Sequence, residues 1–441
     1  MYSSCSTQPE ESENETAIYE GSRVYRAGRA APDLRRYNRA LVLGLIRELG
    51  PISRADLGRE GQLSMPAVIE ITDVLISEGL IREIGRGPST GGRPPLLLEL
   101  VPDAYCAIGV EVGTRTLTTV VTDLNAKVEF RSETPSLMKE GPDKLLERLE
   151  ASLREAFEHV PSGTGRHLGI GLALPAPILL SEGVFFSPPS FPGWGRLQLG
   201  DVVAENYGFQ VLVDNDANAA ALGEYLFGAG RGAENMFYVI MQRGVGGAAI
   251  VEGGLYRGAN GGAGEIGHTL VDLEGPKCGC GRYGCLEAFA GRAAITARAR
   301  RALKLAGGRA LAGREPDQVK VDHVIEAAKE GDELAVEILQ ETGEYLGMGV
   351  SNMVNFLDPE LVVVGGATMR AGDLILQPAS DVVRRRALPG MADRVKMVAG
   401  ELGPNASAIG AAALVLRDLF AISPPRREAP KNLRQADNAK A

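Results

Sequence analysis

The stretch from Gly264 to Glu287 constrains this chain more than any other. Gly264-Glu265-Ile266-Gly267-His268 is followed, ten residues later, by Cys278-Gly279-Cys280-Gly281-Arg282-Tyr283-Gly284-Cys285-Leu286-Glu287. Three of the five cysteines and one of the four histidines fall within residues 268–285. One imidazole and three thiolates make a closed tetrahedral set for Zn²⁺, the composition of a structural site. The intervening glycines let the backbone turn tightly enough for neighbouring sulfurs to reach one ion. Buried unpaired cysteines are one alternative, since free cysteine packs as a small hydrophobe. Cys-x-Cys-x4-Cys in a glycine-rich loop is, however, poor core material. A disulfide is the other, disfavoured in the reducing cytoplasm expected of a chain without a signal-peptide core. The loop is therefore expected to carry one zinc ion through His268, Cys278, Cys280 and Cys285, with Glu265 and Glu287 fixed beside it for a polyhydroxylated ligand.

Charge is distributed unevenly. The 441 residues carry a net charge of −9, which argues against a surface that binds nucleic acid throughout. Residues 1–20 hold five acids and no base; residues 21–47 hold seven arginines against the single acid Asp33. Residues 101–441 then carry 35 basic and 42 acidic side chains. A basic module on an acidic body is the asymmetry expected when one domain alone meets DNA phosphates. No apolar run is long enough to span a bilayer, so no membrane partner is expected.

Residues 1–30 lack periodicity and read as a disordered acidic tail. From Asp33, Leu41, Val42, Leu45, Ile46 and Leu49 repeat at helical spacing until Gly50-Pro51. Ser53 is placed to cap a short helix from Arg54 to about Glu60, and Ser64 to cap a third, with Pro66 in its first turn. Val68, Ile71 and Leu75 would face the core, and Gly79 ends the helix. Two apolar runs, Leu80–Ile84 and Leu96–Leu100, then bracket a Gly-, Pro- and Arg-rich tip. Residues 31–100 thus read as a winged helix-turn-helix domain, its third helix entering the major groove by the N-terminal end. Ser64, Met65, Ala67, Ile69 and Glu70 would lie nearest the bases, with Arg54, and Arg86 and Arg93 of the wing, on phosphate or the minor groove. A bundle serving only dimerisation is the bland alternative.

From Tyr105 strands and helices alternate. Cys106–Val112 and Thr116–Leu124 form a strand pair, followed by a helix at Leu145–Phe157 and strands at His167–Leu174 and Val211–Asp214. After a helix at Ala217–Leu226, a second strand pair, Met236–Met241 and Ala248–Val251, repeats the pattern. Helices follow at about 290–305, 321–330 and 332–356, then a strand at Leu361–Val364 and a last helix at Ala406–Leu419. Two such halves predict duplicated α/β lobes around a cleft, lobe one about 101–218 plus 403–420 and lobe two about 219–402. Residues 421–441 read as a polar tail.

Three motifs together resemble the ROK family of repressors, open reading frames and sugar kinases, in its long, DNA-binding form. They are Asn38-Arg39 with Ser53-Arg54-Ala55-Asp56-Leu57 and the wing end Gly91-Gly92-Arg93-Pro94; Asn215-Asp216-Ala217-Asn218-Ala219-Ala220; and Gly244-Val245-Gly246-Gly247 through Gly258 to the cysteine cluster. The resemblance, covering about residues 31–420, implies a two-lobed actin/hexokinase-like (ribonuclease H-like) fold. Asn215, Asp216, Glu265, His268 and Glu287 match the family's sugar-binding positions, Asp216 its catalytic base, and His268 with the three cysteines its zinc ligands. Family sugars include glucose, xylose and N-acetylglucosamine; the loop Ser187–Trp194 is expected to help select among them. Read locally, Asp216 also suits a helix N-cap.

The chain departs from the family's kinases at both phosphate turns. Their Asp-x-Gly-Gly-Thr-Lys turn is here Glu111-Val112-Gly113-Thr114-Arg115-Thr116, and their Gly-Thr-Gly turn is Gln242-Arg243-Gly244. A bulky residue where backbone must approach a phosphate closes that approach. The expectation is a sugar-responsive regulator of carbohydrate genes, most naturally a repressor, that binds operator DNA and a sugar or sugar phosphate as a homodimer or homotetramer, without ATP or Mg²⁺. The alternative is an ATP-dependent sugar kinase that keeps a DNA-binding domain, which the intact Asp216 favours.

Overall fold

In the computed structural model, residues 31–88, 94–160, 167–175, 198–306, 311 and 314–420 are described. Both polar tails, Arg93 and the loop Ser187–Trp194 lie outside the described residues. The apolar stripe of α1 (Ala31–Leu49) buries Val42, Leu43 and Ile46. A two-residue strand, β1 (Ile52–Ser53), follows. Ser53 caps α2 (Arg54–Glu60), its Oγ accepting from the Asp56 amide at 3.1 Å. The Ser64 hydroxyl makes no such bond to α3 (Met65–Ser77). Pro66 removes one of the amides that a capping oxygen would take. Val68, Thr72 and Leu75 form the buried face of α3. β2 (Ile81–Arg86) and β3 (Leu96–Leu100) pair antiparallel, and β1 adds to β3, giving the order β1-β3-β2.

The body repeats one sheet design twice. β4 (Cys106–Val112), β5 (Thr116–Thr122) and β6 (Val128–Pro135) form an antiparallel meander. After α4 (Pro142–Glu158), β7 (His167–Leu174) joins β4 in parallel. After α5 (Leu199–Tyr207), β8 (Val211–Asn215) joins β7, completing the order β6-β5-β4-β7-β8. The helix α6 (Asp216–Phe227) leads to the second half. There β9 (Met236–Met241), β10 (Val245–Val251) and β11 (Gly254–Tyr256) form the meander. The helices α7 (Leu286–Ala290), α8 (Arg292–Ala306), α9 (Val321–Lys329) and α10 (Glu333–Leu357) intervene before β12 (Leu361–Gly365). Then come α11 (Asp373–Arg386), α12 (Pro389–Ala392) and β13 (Lys396–Ala399), giving β11-β10-β9-β12-β13. The two orders are the same when read by position, which is the duplication expected of this fold. Central strands β4 and β9 are buried along their whole length, as strands covered on both faces must be.

The chain ends its ordered course in α13 (Ala406–Phe420), which returns to the first sheet and to α6. Its Ala412, Val415, Leu416 and Phe420 share one apolar cluster with Val42, Leu43 and Ile46 of α1 and with Leu57, Leu75 and Leu98. The N-terminal unit is thus packed directly onto the body. Leu416→Ala in this seam is expected to cost about 2–5 kcal/mol. Calorimetry should show the N-terminal unit and the body moving down together; a body transition that stays put would show the seam to be loose.

Candidate functional site

The carboxyl ends of the parallel strands converge on one region, where open α/β sheets bind ligands. β8 ends in Asn215, whose side-chain oxygen caps α6 by accepting from the amides of Ala217 (2.9 Å) and Asn218 (3.3 Å). The helix cap is therefore Asn215. Asp216 is the first helical residue, and its Oδ1 accepts from the Ala217 amide at 2.8 Å. Burial pushes the Asp216 carboxyl up to about 6, and the charge of Glu265 adds to the shift. On the same sheet, burial pushes Glu111, on β4, up to about 7, and Asp216 adds to that shift.

Two residues not singled out from sequence hold this corner. Asp214 accepts from the Asn215 amide and from the Asn218 side-chain nitrogen, both at 2.8 Å. Its other oxygen pairs with Arg257, and both side chains are largely buried. No local pattern marks this pair, since its partners are 43 residues apart.

Opposite, the Gly264–His268 segment lies flat against β10. Gly264 has φ +94°, and a Cβ there would fall 2.1 Å from the Gly247 carbonyl oxygen, so glycine is required. The turn carries Ile266 into the core and leaves Glu265 and His268 on its outer side. His268 has two faces. Its Nδ1 lies 3.7 Å from the Cys278 sulfur and its Nε2 4.0 Å from a Glu265 oxygen. The ligand atoms of His268, Cys278, Cys280 and Cys285 all lie within 4.8 Å of one another, and the Cys280 and Cys285 sulfurs are 3.7 Å apart. A tetrahedron with Zn–S bonds of about 2.3 Å has edges of about 3.8 Å, so the donor set fits such an ion. Backbone bonds shape the loop, Cys278 N donating to Arg282 O at 2.7 Å and Leu286 N to Thr269 O at 2.9 Å.

Glu287, on α7, joins this cluster to the second turn. One oxygen accepts from the Val245 amide at 3.1 Å, and the other lies 3.8 Å from the Cys278 sulfur. Gln242 occupies the ground between the turns. Its Nε2 donates to Glu111 at 3.3 Å and its Oε1 accepts from the Ala367 amide at 2.9 Å, beside Gly365-Gly366. Arg115 and Arg243 are exposed.

On the N-terminal unit, Ser64, Met65, Ile69 and Glu70 are exposed along α3, Ala67 is half-buried, and Arg86 is exposed at the end of β2. Arg54 is turned inward. Its guanidinium donates to Thr72 (2.9 Å), Glu83 (2.8 Å) and Asp73 (3.1 Å), which ties α2 to α3 and the wing.

This is a two-lobed actin/hexokinase-like domain whose cleft carries a carboxylate cluster, joined to a winged-helix unit. The chain belongs to the ROK family, whose profile matches residues 107–418. It is 31% identical to the xylose repressor of Caldicellulosiruptor bescii over 88% of this chain and 97% of that one. A crystal structure of a ROK family transcriptional regulator, a homologue of the E. coli MLC protein, superposes with a TM-score of 0.73 at 28% identity, covering 88% of this chain and 98% of that one. A ROK family glucokinase from Streptomyces griseus, solved with glucose and AMPPNP, superposes with a TM-score of 0.62 at 31% identity. It covers 70% of this chain and 98% of the glucokinase.

The Asp216 carboxyl titrates in the folded protein at about 6, above the roughly 3.9 of an unfolded chain. Its ionised form therefore opposes folding fully above about pH 6 and not at all below about pH 4. Asp216→Asn is expected to raise Tm at pH 7.5 and to leave it near the wild-type value at pH 4. A lower Tm at pH 7.5 would show instead that the helix-end amide outweighs burial.

Proposed function

We propose that this protein is a sugar-responsive transcriptional repressor of carbohydrate genes. Residues 31–100 bind operator DNA as a winged helix-turn-helix, and residues 101–420 bind a sugar between the lobes, divided as the sequence divides them. Asn215, Asp216, Glu265, His268 and Glu287 would hold its hydroxyls, since carboxylates accept from several at once. One structural zinc on His268, Cys278, Cys280 and Cys285 would fix the loop that carries two of them. The residues proposed to reach DNA are Ser64, Met65, Ala67, Ile69 and Glu70 on α3 and Arg86 and Arg93 in the wing. Arg54 would then serve by bracing α3 rather than by touching phosphate. Sugar must bind one lobe arrangement better than the other, or it would shift nothing. The protein would act in the cytoplasm as a homodimer or homotetramer; no described helix is long and apolar enough to cross a membrane.

The observation that carries the regulatory reading is Gln242. The family's kinases place a Gly-Thr-Gly turn there for backbone to approach phosphate. Here a side chain bridges Glu111 of the first turn and the Ala367 amide that follows Gly365-Gly366. Phosphoryl transfer depends on positioning and electrostatics, and an amide in the phosphate ground removes both. The intact Asp216 favours a kinase that keeps a DNA-binding domain, but a carboxylate that accepts a sugar hydroxyl is needed in either case.

The test uses a duplex selected from random sequence by the purified protein, and a panel of D-xylose, D-glucose and N-acetylglucosamine with their phosphates. One member should release the duplex, while none is phosphorylated with ATP and Mg²⁺. Turnover abolished by Asp216→Asn, without any effect on DNA, would establish the kinase. A protein beginning at Val101 should keep the sugar and lose the duplex. Metal analysis should find one zinc per chain, and Cys280→Ser should lose metal and sugar binding together. A metal-free protein with full sugar affinity would remove zinc from the account.

A further inference from the structure

Arg47 is one of the seven arginines in the basic N-terminal stretch, yet its side chain is turned into the protein. It lies in the last turn of α1 with its side chain 9% exposed. Its guanidinium carbon sits 5.0 Å from the ring centre of Phe227 and 4.5 Å from that of Phe420. The nearest carboxylate is its neighbour Glu48, at 3.6 Å and itself 54% exposed. Its Nη1 is buried and has no hydrogen-bond partner among the described residues. Burial pushes its pKa down. A buried cation with an open donor is costly, and an apolar side chain would fill the space more cheaply. Packing alone therefore does not account for an arginine here.

The two rings are the terminal residues of two helices. Phe227 ends α6, whose first residue is Asp216, and Phe420 ends α13. The helices touch backbone to backbone, for a Cβ at Gly410 would fall 1.9 Å from the Ala219 carbonyl oxygen. No side chain separates the two helices at that point. With 12 residues, α6 spans about 18 Å, from the cleft carboxylate at one end to the guanidinium at the other. A cation between ring faces is held by a broad attraction rather than by fixed hydrogen bonds. It can slide, and the open Nη1 leaves a donor for a different partner in a second arrangement.

We propose that Arg47 is the joint by which the cleft sets the pose of the DNA-binding unit, gripped by Phe227 at the far end of the helix that begins with Asp216 and backed by Phe420. This rests on the reading of the protein as a sugar-controlled DNA-binding regulator. A displacement of α6 when the cleft fills moves Phe227 against the guanidinium, and α1 follows. Arg47 touches neither ligand in this scheme. It is a positioning residue for the coupling between them.

The full-length Arg47→Met and Phe227→Leu proteins test this against wild type, with the duplex and sugar panel described above. The affinity of each protein for the duplex is measured with and without saturating sugar, and sugar affinity is measured by calorimetry. Allosteric coupling is commonly about 5–150-fold. Wild type should fall in that range. Arg47→Met should bind sugar within about twofold of wild type and bind the duplex within a few-fold, while the ratio of affinities falls to about one. Arg47→Met removes a buried charge, so its Tm should equal or exceed wild type's; Phe227→Leu gives the same readout should that variant not fold. Wild-type coupling in both variants would overturn the joint and leave the regulator reading standing. A wild-type protein that no sugar releases from DNA would remove both.

Discussion

The structure depends on how closely α13 approaches its neighbours. A Cβ at Gly109 on β4 would fall 2.0 Å from the Ala408 carbonyl oxygen, and one at Gly171 on β7 1.8 Å from that of Ala411. Gly410, on the helix itself, meets Ala219 of α6 in the same way. Backbone therefore lies on backbone at three points, and packing this close leaves little room for gradual adjustment. The first sheet, α6 and the seam with α1 all meet at this one helix. A change in the cleft that moves α6 has few places to be absorbed before it reaches the N-terminal unit.

The cleft carries an opposing constraint. Asp216, Glu111 and Glu265 crowd one region, and burial raises the carboxyl pKa at each. Such a cluster opposes folding unless hydrogen-bond donors relieve it. The cysteine loop supports this arrangement from behind. His268 faces the cysteines with one nitrogen and Glu265 with the other, and Glu287 reaches from α7, just past the loop, to the Val245 amide. The His268 and cysteine set, which could hold a metal ion, and the carboxylates are thus one connected construction.

Much of this was legible in the sequence wherever the signal was local. α2 (Arg54–Glu60) has an N-cap and a glycine stop, and β4 and β7 are apolar runs between turn residues, so their limits follow from neighbouring residues. β6 was missed because Val128–Pro135 alternates half-buried and exposed residues at a sheet edge, with charges that read as loop. β10 begins at Val245 rather than Ala248, because Gly246 and Gly247 lie where β9 and the Gly264 turn press closest. α11 was missed despite its 14 residues: Pro378 lies inside it and three arginines close it. Individual side-chain contacts between residues far apart were beyond reach. Gln242 and Glu111 are 131 residues apart, and the inward turn of Arg54 is set by acceptors on α3 and the wing. The altered turn Gln242-Arg243-Gly244 could be read from sequence, but not that the Gln242 amide bonds Glu111 and the Ala367 amide.

Under the proposed function, sugar and operator would compete for two arrangements of one molecule. Linkage makes the claim measurable, because the factor by which sugar weakens operator binding must equal the factor by which operator weakens sugar binding. The measurement is sugar affinity by calorimetry on free protein and on protein saturated with a selected operator duplex, at one salt concentration. Sugar binding should be weaker on DNA, by the same factor seen when sugar is added to the operator complex. Equal sugar affinity in the two states would contradict it.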